Sequence, residues 1–206
     1  MRQKLKSYIA ESFKTFDKIP AERKVDLKKL AEYVEGRIKD GQQAKLTFIC
    51  THNSRRSHMA QIWGQAVAAH YGIPNVETFS GGTEATAFNP RAVAAMQRAG
   101  FEIEKTTSGD NPIYLVRYDD DKEPMQTFSK VYDHDPNPTD DFCAVMTCSD
   151  ADKNCPVVLG ASLRVSIPYE DPKAADGTDQ ETAVYDERCR QISSELLYIF
   201  SQVKVD

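Results

Sequence analysis

The sequence predicts an α/β domain, a parallel β-sheet flanked by helices, with an N-terminal helical extension and an inserted β-hairpin. Strand-like and helix-like patterns alternate between residues 45 and 100, and short apolar runs return at 142–147 and 163–167. Such alternation favours parallel strands with covering helices. Residues 109–141 break the alternation with two β-rich runs and a loop rich in Pro and Asp, which predicts the insert. We therefore divide the chain into an extension (1–44) and an α/β domain (45–206).

The extension is predicted to form two amphipathic helices, because apolar residues recur at helical spacing on both sides of Pro20. Asp26 is the expected N-cap of the second helix, and Gly41 is expected to end it. We expect the pair to pack on the main domain or on a second subunit.

The α/β domain should begin with a strand at 45–50, a helix at about 57–71 and a strand at 76–79 that ends before Gly81 and Gly82. Asn89 and Pro90 then open a helix that Gly100 stops. In the insert, strands are expected at 113–118 and 128–132 around the charged turn 119–123. Strands at 142–147 and 163–167 and a helix at 180–203 complete the domain.

Bulk composition limits the function classes. The 206 residues are 40% hydrophobic and 28% charged, with a formal net charge of −5, so no broad positive field for nucleic acid is expected. No run approaches the roughly 20 apolar residues that span a bilayer, and the N-terminus alternates charged with apolar residues, unlike a secretory signal. The expected location is cytoplasmic. Five cysteines are an odd number and too sparse for a secreted disulfide scaffold.

The segment from Cys50 to Ser57 is the strongest candidate site. It places a cysteine in a loop between a strand and a helix, with five residues between it and Arg56. Such a loop points backbone N–H groups inward and the helix N-terminus adds partial positive charge, which favours a bound oxyanion. The helix end and the Arg56 guanidinium favour the thiolate, the reactive form of cysteine. The expected oxyanion-binding residues are Thr51, His52, Asn53, Ser54, Arg55, Arg56 and Ser57.

Individual side chains have separate expected roles. Arg56 can hold two oxyanion oxygens with its planar fork, and the Ser57 hydroxyl can donate to the thiolate. Asn53 suits a left-handed backbone and side-chain-to-backbone hydrogen bonds. The alternative is a buried cysteine that ends a strand, followed by two arginines on a solvated turn.

The run from Phe48 to Ala60 resembles the phosphate loop of the low-molecular-weight protein tyrosine phosphatases and of the thioredoxin-coupled arsenate reductases that share their fold. Ser80-Gly-Gly and Asn89-Pro-Arg-Ala-Val add further matches. The resemblance covers about 45–108 and 142–203 and implies a low-molecular-weight phosphatase-like fold. His52 stands where the family usually has Gly, Arg55 where a second cysteine is frequent, and Gln61 where an acidic residue near a potassium site is frequent. The potassium site is therefore not expected here, and since His58, His70 and His134 lack the spacing of metal ligands, we expect no metal and no cofactor.

The segment from Cys148 to Cys155 resembles the redox segment of the thioredoxin-coupled reductases. The resemblance implies that Cys50 attacks arsenate, Cys148 attacks the adduct, and Cys155 resolves the disulfide for thioredoxin. Across seven residues of unbroken helix, the Cα atoms of the two cysteines would be about 10 Å apart, beyond the disulfide limit of roughly 7 Å. In the oxidised state, with Cys148 joined to Cys155, this segment must therefore loop out or unwind. The alternative is a surface loop with two idle thiols, and Cys143 and Cys189 are expected to be core residues.

Asp171, followed by Pro172, is the general-acid candidate that the resemblance implies, with Glu170 and Asp176 as nearby alternatives. Lys173-Ala-Ala follows where phosphatases acting on proteins commonly carry tyrosines. Three functions thus remain open: arsenate reductase with thioredoxin as partner, low-molecular-weight phosphatase, and a non-enzymatic oxyanion-sensing or protein-binding module.

Overall fold

A computed structural model describes residues 1–155 and 157–204 of the chain. Its helices are α1 (Gln3–Phe13), α2 (Ala21–Lys39), α3 (Arg56–His70), α4 (Pro90–Ala99), α5 (Ser149–Asn154) and α6 (Glu181–Ser201). Its strands are β1 (Ala44–Cys50), β2 (Val76–Gly82), β3 (Glu102–Lys105), β4 (Tyr114–Arg117), β5 (Met125–Thr127), β6 (Phe142–Met146) and β7 (Ala161–Ser166). None of the helices within these residues is long and apolar enough to cross a membrane.

The main sheet is parallel, in the order β2-β1-β6-β7, and helices flank it. The predicted fold class is confirmed. Cys50 pairs with Gly82 across β1 and β2, and Ile49 pairs with Met146 across β1 and β6. Since parallel strands end at the same edge, this register brings the loop after β1 and the segment after β6 together.

Alternate residues of β1 and β6 pack into two separate apolar clusters, one on each face of the sheet. The larger cluster holds Leu46 and Phe48 with side chains of α1 to α4 and α6. The smaller one holds Ile49 and Cys50. The central strands are therefore covered on both faces, which explains why their sequences are almost continuously apolar.

The N-terminal extension belongs to the larger core. Leu5, Leu27 and Leu30 are fully buried in it. The expected N-cap is wrong, because α2 begins at Ala21 after Pro20 and Asp26 lies inside the helix, paired with Lys29. Pro20 has an extended ψ of 149°, so the chain turns into the helix directly after it.

The insert contains the expected antiparallel hairpin, but its second strand is β5, earlier than the predicted 128–132. The sequence also failed to reveal β3, which pairs with β4 and makes a three-stranded sheet. Residues 128–132 instead lie against β2, where Val131 forms a parallel bridge with Gly82. Their β-rich composition thus reflects burial against β2 rather than pairing with β4, and β2 itself continues through Gly82 instead of ending before Gly81.

Candidate active site

The loop between β1 and α3 has its carbonyl groups turned outward. Each of four carbonyls accepts a hydrogen bond from the segment that follows β2: Thr83 N to the Cys50 oxygen (3.2 Å), Glu84 N to Thr51 (2.9 Å), Thr86 Oγ1 to His52 (3.0 Å) and Asn89 N to Ser54 (2.8 Å). These four hydrogen bonds fix the orientation of the peptide planes in the loop, so the amide N–H groups of the loop face the side opposite to the carbonyls.

The amides of residues 52–57 donate to no protein group among the residues that the structure describes. They include the start of α3, a helix of 15 residues, whose first N–H groups have no partner within the helix and carry partial positive charge. A cup of N–H donors at a helix start is a binding site for a tetrahedral oxyanion. The left-handed backbone angle falls on Asn53 (φ 43°) and not on His52.

Ser57 connects Cys50 to Asn53. Its Oγ lies 3.0 Å from the Cys50 Sγ and accepts from Asn53 Nδ2 at 2.9 Å. The amide of Asn53 has a fixed orientation, because its Oδ1 accepts from the Lys130 backbone N–H at 2.9 Å. A hydroxyl has one proton to donate. Because Asn53 Nδ2 donates to the Ser57 oxygen, the Ser57 hydroxyl is oriented as a donor to the Cys50 sulfur.

Arg56 connects the loop to the general-acid candidate. Its Nη1 donates to the Tyr169 carbonyl at 3.0 Å and its Nη2 to the Asp171 carboxylate at 2.7 Å. Asp171 also accepts from the backbone N–H of Lys173 at 3.0 Å, which orders the turn that follows. The structure thus brings the carboxylate of Asp171, the guanidinium and the oxyanion loop together.

Two expected oxyanion-binding side chains take other partners. Arg55 Nε donates to the Tyr185 hydroxyl at 3.0 Å, and its other nitrogens lie 3.8 Å from Asp176 and 3.9 Å from Asp171. His52 pairs with Glu84 at 3.0 Å on the surface. Both side chains are therefore turned to partners outside the loop, and the backbone amides of these two residues are the groups left for an oxyanion.

The smaller apolar cluster contains three cysteines: Cys50 and Cys148 are buried in it and Cys155 packs against it. The Cys148 Sγ lies 3.5 Å from the Thr51 hydroxyl and accepts from the Ala151 amide at 3.3 Å.

Cys143 and Cys189, expected as core residues, lie in the larger cluster. Burial raises the pKa of Cys143 far above its ordinary value and that of Cys189 to about 11, so both remain thiols.

Helix α5 separates Cys148 from Cys155, which flank it on either side. Arg164 holds this helix by donating to the Asp152 carboxylate at 2.6 Å, the Asp152 carbonyl at 2.7 Å and the Cys155 carbonyl at 3.2 Å. A disulfide between the two cysteines therefore requires α5 to unwind and these bonds to break, since seven helical residues span about 10 Å.

The sequence did not reveal Ser129 and Lys130 as residues that hold the site. Ser129 Oγ donates to the His52 carbonyl at 3.1 Å, and the Lys130 carbonyl accepts from Gly82 N at 2.9 Å. Ser129 and His52 are 77 residues apart along the chain, and the composition of the insert carries no signal for such contacts. Gln61, by contrast, is satisfied within the core by Ser80 and the Thr78 carbonyl.

Gly82 allows the loop to pack against β2. A Cβ atom there would lie 2.2 Å from the Glu84 oxygen, 2.6 Å from the Thr51 oxygen and 2.8 Å from the Asn53 nitrogen. Because these are backbone atoms, Gly82→Ala should lower the free energy of unfolding by about 2–3 kcal/mol. Urea unfolding measures this loss.

Gly36→Ala is the matched control. A Cβ atom added at Gly36 of α2 would meet open space, and alanine there should raise the free energy of unfolding by about 0.5–1 kcal/mol. Equal stability of G82A and wild type would contradict the role given to Gly82.

His58, beside the loop in the first turn of α3, makes stability depend on pH. Burial and the nearby Lys130 charge lower the pKa of His58 to about 3. The unfolded chain binds this proton near pH 6.5 and the folded chain does not until about pH 3, so stability is present above pH 6.5 and falls below it. Between these values the loss approaches about 1.4 kcal/mol per pH unit. Urea unfolding at pH 7, 6, 5 and 4 should show a steeper decline in wild type than in His58→Phe, and parallel curves would refute the assignment.

The sequence of the chain matches known proteins of one family. Residues 45–119 match the family model of the low molecular weight phosphotyrosine protein phosphatases. The arsenate reductase of Shouchella clausii is 32% identical over 143 residues, which cover 69% of this chain and 84% of that protein. The arsenate reductase of Bacillus subtilis is 31% identical over 143 residues, with the same coverage.

Solved structures support the fold. A structure described as an arsenate reductase in the phosphate binding state has a TM-score of 0.51 at 18% identity, covering 79% of this chain and 100% of that one. A low molecular weight phosphotyrosine phosphatase from Vibrio cholerae has a TM-score of 0.51 at 15% identity, covering 77% and 94%. At such identities the likeness concerns the fold alone. Taken with the sequence matches, it shows that the chain belongs to the low molecular weight phosphotyrosine protein phosphatase family, a family of enzymes whose fold is shared by arsenate reductases and phosphatases.

Proposed function

We propose that this protein reduces arsenate to arsenite, with Cys50 as nucleophile and Cys148 and Cys155 as an internal disulfide relay to thioredoxin. The observation that carries the proposal is the grouping of Cys50, Cys148 and Cys155 around the smaller apolar cluster on one face of the sheet, apart from Cys143 and Cys189. Hydrolysis of a phosphate ester needs the first thiol only, whereas a disulfide relay needs all three.

In the first step the Cys50 thiolate attacks arsenic, which forms a sulfur–arsenic bond and expels one arsenate oxygen. The expelled oxygen is a hydroxyl of hydrogen arsenate, and one proton from the Asp171 carboxyl group lets it leave as water. The free amides of residues 52–57 hold the remaining oxygens, and Arg56 neutralises their charge. Ser57 stabilises the thiolate before attack through its 3.0 Å contact with the Cys50 sulfur.

In the second step the Cys148 thiolate attacks the Cys50 sulfur. A disulfide forms, the sulfur–arsenic bond breaks, and its electron pair reduces As(V) to As(III), which leaves as arsenite. Cys155 then attacks Cys148, which frees the Cys50 thiolate and leaves a Cys148–Cys155 disulfide. Thioredoxin, a dithiol, supplies two electrons and two protons to reopen it. The reaction needs free thiols between turnovers, so we place it in the reducing cytoplasm.

A second candidate is hydrolysis of phosphate monoesters through a cysteinyl-phosphate. The contact of Arg56 with Asp171 at 2.7 Å favours it, because the nucleophile loop and an acid for the leaving group are enough for that reaction. The third function considered from the sequence, an oxyanion-binding module without catalysis, requires an incomplete site. The contacts of Cys50, Ser57, Arg56 and Asp171 argue against it.

Two assays run side by side test the proposal. NADPH consumption coupled through thioredoxin reductase and thioredoxin is expected with arsenate, and it should exceed the rate of aryl-phosphate hydrolysis under the same conditions. Mass spectrometry of enzyme quenched with arsenate but without reductant should find Cys148 joined to Cys155. Rapid ester hydrolysis without arsenate-dependent NADPH consumption would establish the phosphatase instead, and stoichiometric anion binding without turnover would establish the binding module.

A further inference from the structure

One side chain of the N-terminal extension reaches the segment that carries Asp171. Arg23, in the first turn of α2, donates from Nη2 to the Pro168 carbonyl at 3.0 Å. Its guanidinium also lies over the ring of Tyr169, 5.1 Å from the centroid, within the range of a cation–π contact. A residue outside the family match, which begins at residue 45, therefore touches two consecutive residues just before Glu170 and Asp171.

Glu195 of α6 fixes the orientation of Arg23. Both Glu195 oxygens accept from Arg23 Nε at 3.2 Å, and Oε2 also accepts from Nη2 at 2.8 Å. The Glu195 side chain is only 4% exposed. A buried bidentate pair has defined geometry, and removing one partner leaves the other charge uncompensated. Arg23 is thus a rigid support, held by α6 on one side and bound to the Pro168 carbonyl on the other.

The same short segment is held from the catalytic side by Arg56. Arg56 donates to the Tyr169 carbonyl at 3.0 Å and to the Asp171 carboxylate at 2.7 Å. Two guanidinium groups, one from the extension and one from the oxyanion loop, therefore bind adjacent carbonyls at residues 168 and 169. If the outer support were lost, the segment between Pro168 and Asp171 would keep the bonds from Arg56, the bond from Tyr169 N to the Thr147 carbonyl at 3.0 Å and the local bond from Lys173 N to Asp171 at 3.0 Å, but it would lose the bond at the Pro168 carbonyl.

We propose that Arg23 is a positioning residue, which holds the Pro168–Asp171 segment so that the Asp171 carboxylate stays beside Arg56 and reaches the departing oxygen. The proposal rests on the role given to Asp171 under the proposed function. It gives the N-terminal extension a role in the reaction although, among the described residues, none of the extension makes a hydrogen bond or ion pair with Cys50, Ser57 or Arg56.

The test compares two aryl phosphates that differ in leaving group. Protonation of the leaving oxygen matters more for phenyl phosphate, with a poor leaving group, than for p-nitrophenyl phosphate. Arg23→Gln should lower kcat for phenyl phosphate by about tenfold or more and kcat for p-nitrophenyl phosphate by less than about threefold, with KM unchanged. Lys28→Gln, which removes an exposed charge that pairs with Glu32 on the same helix, should leave both rates unchanged.

A second readout does not depend on turnover. Amide hydrogen exchange of the peptide 168–172 should be faster in Arg23→Gln than in wild type, while exchange in β1 stays the same. Glu195→Gln weakens the support of Arg23 without removing the Pro168 bond. It should show a smaller loss of kcat for phenyl phosphate and a smaller increase in amide exchange, and it replaces Arg23→Gln in the test if that variant does not fold. Equal rate losses for both esters, no loss, or unchanged exchange at 168–172 would overturn the proposal. If wild type hydrolyses neither ester and does not reduce arsenate, the proposed function fails, and the exchange measurement alone decides whether Arg23 positions the segment.

Discussion

Replacement of Cys50 by serine is expected to abolish arsenate reduction and aryl-phosphate hydrolysis together, each by at least about 10⁴-fold. A serine hydroxyl at the end of β1 would meet the same amide cup and the same Ser57 contact. It would remain protonated near neutral pH, however, and an oxygen nucleophile cannot form the disulfide that releases arsenite. Both rates are measured on one preparation, with arsenate and with p-nitrophenyl phosphate.

Cys189→Ser is the matched control for this variant. Cys189 is fully buried and its sulfur accepts from Trp63 Nε1 at 3.3 Å, a bond that a serine oxygen can also accept. Both activities should stay close to wild type in this variant. If C50S retained more than about one hundredth of either rate, Cys50 would not be the nucleophile, whereas loss of both rates in C189S would show that the loss in C50S is not specific to Cys50.

The regions of the fold that the sequence predicts well are those with local signals. The helix from Asn89 to Gly100 is one example: the Asn89 side chain accepts from Arg91 N, Pro90 follows, and Gly100 adopts a φ of 116°. The order of strands and helices around Cys50 is another, since a strand, a polar loop and an amphipathic helix follow one another without interruption. In both places neighbouring residues determine the backbone.

Apart from the misplaced N-cap at Asp26, the errors concern long-range contacts. Residues 128–132 have the composition of a strand but pair with β2 only at Val131, and the adjacent Lys130 backbone also orients Asn53. The sequence predicts Arg55 as an oxyanion-binding residue, yet its guanidinium donates to the hydroxyl of Tyr185, 130 positions later in the chain. Arg23 belongs to no sequence motif. The positioning role proposed for it depends on its hydrogen bond to the Pro168 carbonyl, 145 positions later in the chain. Spacing along the chain contains none of this information, because the fold alone brings these partners together.

Replacement of Cys148 by serine should separate the two reactions that Cys50 can carry out. Thioredoxin-coupled reduction of arsenate should fall by at least about 10³-fold, because the adduct on Cys50 has no sulfur to attack it. Hydrolysis of p-nitrophenyl phosphate should stay within about threefold of wild type, since the one hydrogen bond from the Cys148 side chain to the loop, among the described residues, is the 3.5 Å contact with the Thr51 hydroxyl. Both rates are followed in parallel, one by NADPH absorbance and one by release of nitrophenol.

Cys155→Ser distinguishes a relay from a general loss of structure. In this variant the Cys50–Cys148 disulfide can form but cannot be resolved, so one equivalent of arsenite should appear in a single burst, and mass spectrometry should find those two cysteines joined. Cys155 is partly exposed beside α5 while Cys148 is buried within the cluster, which fits an inner thiol that attacks first and an outer thiol that meets the reductant. Full thioredoxin-coupled turnover in C148S, or in C155S, would show that electrons reach Cys50 by another route, and the proposed disulfide relay would then be wrong although arsenate is still reduced.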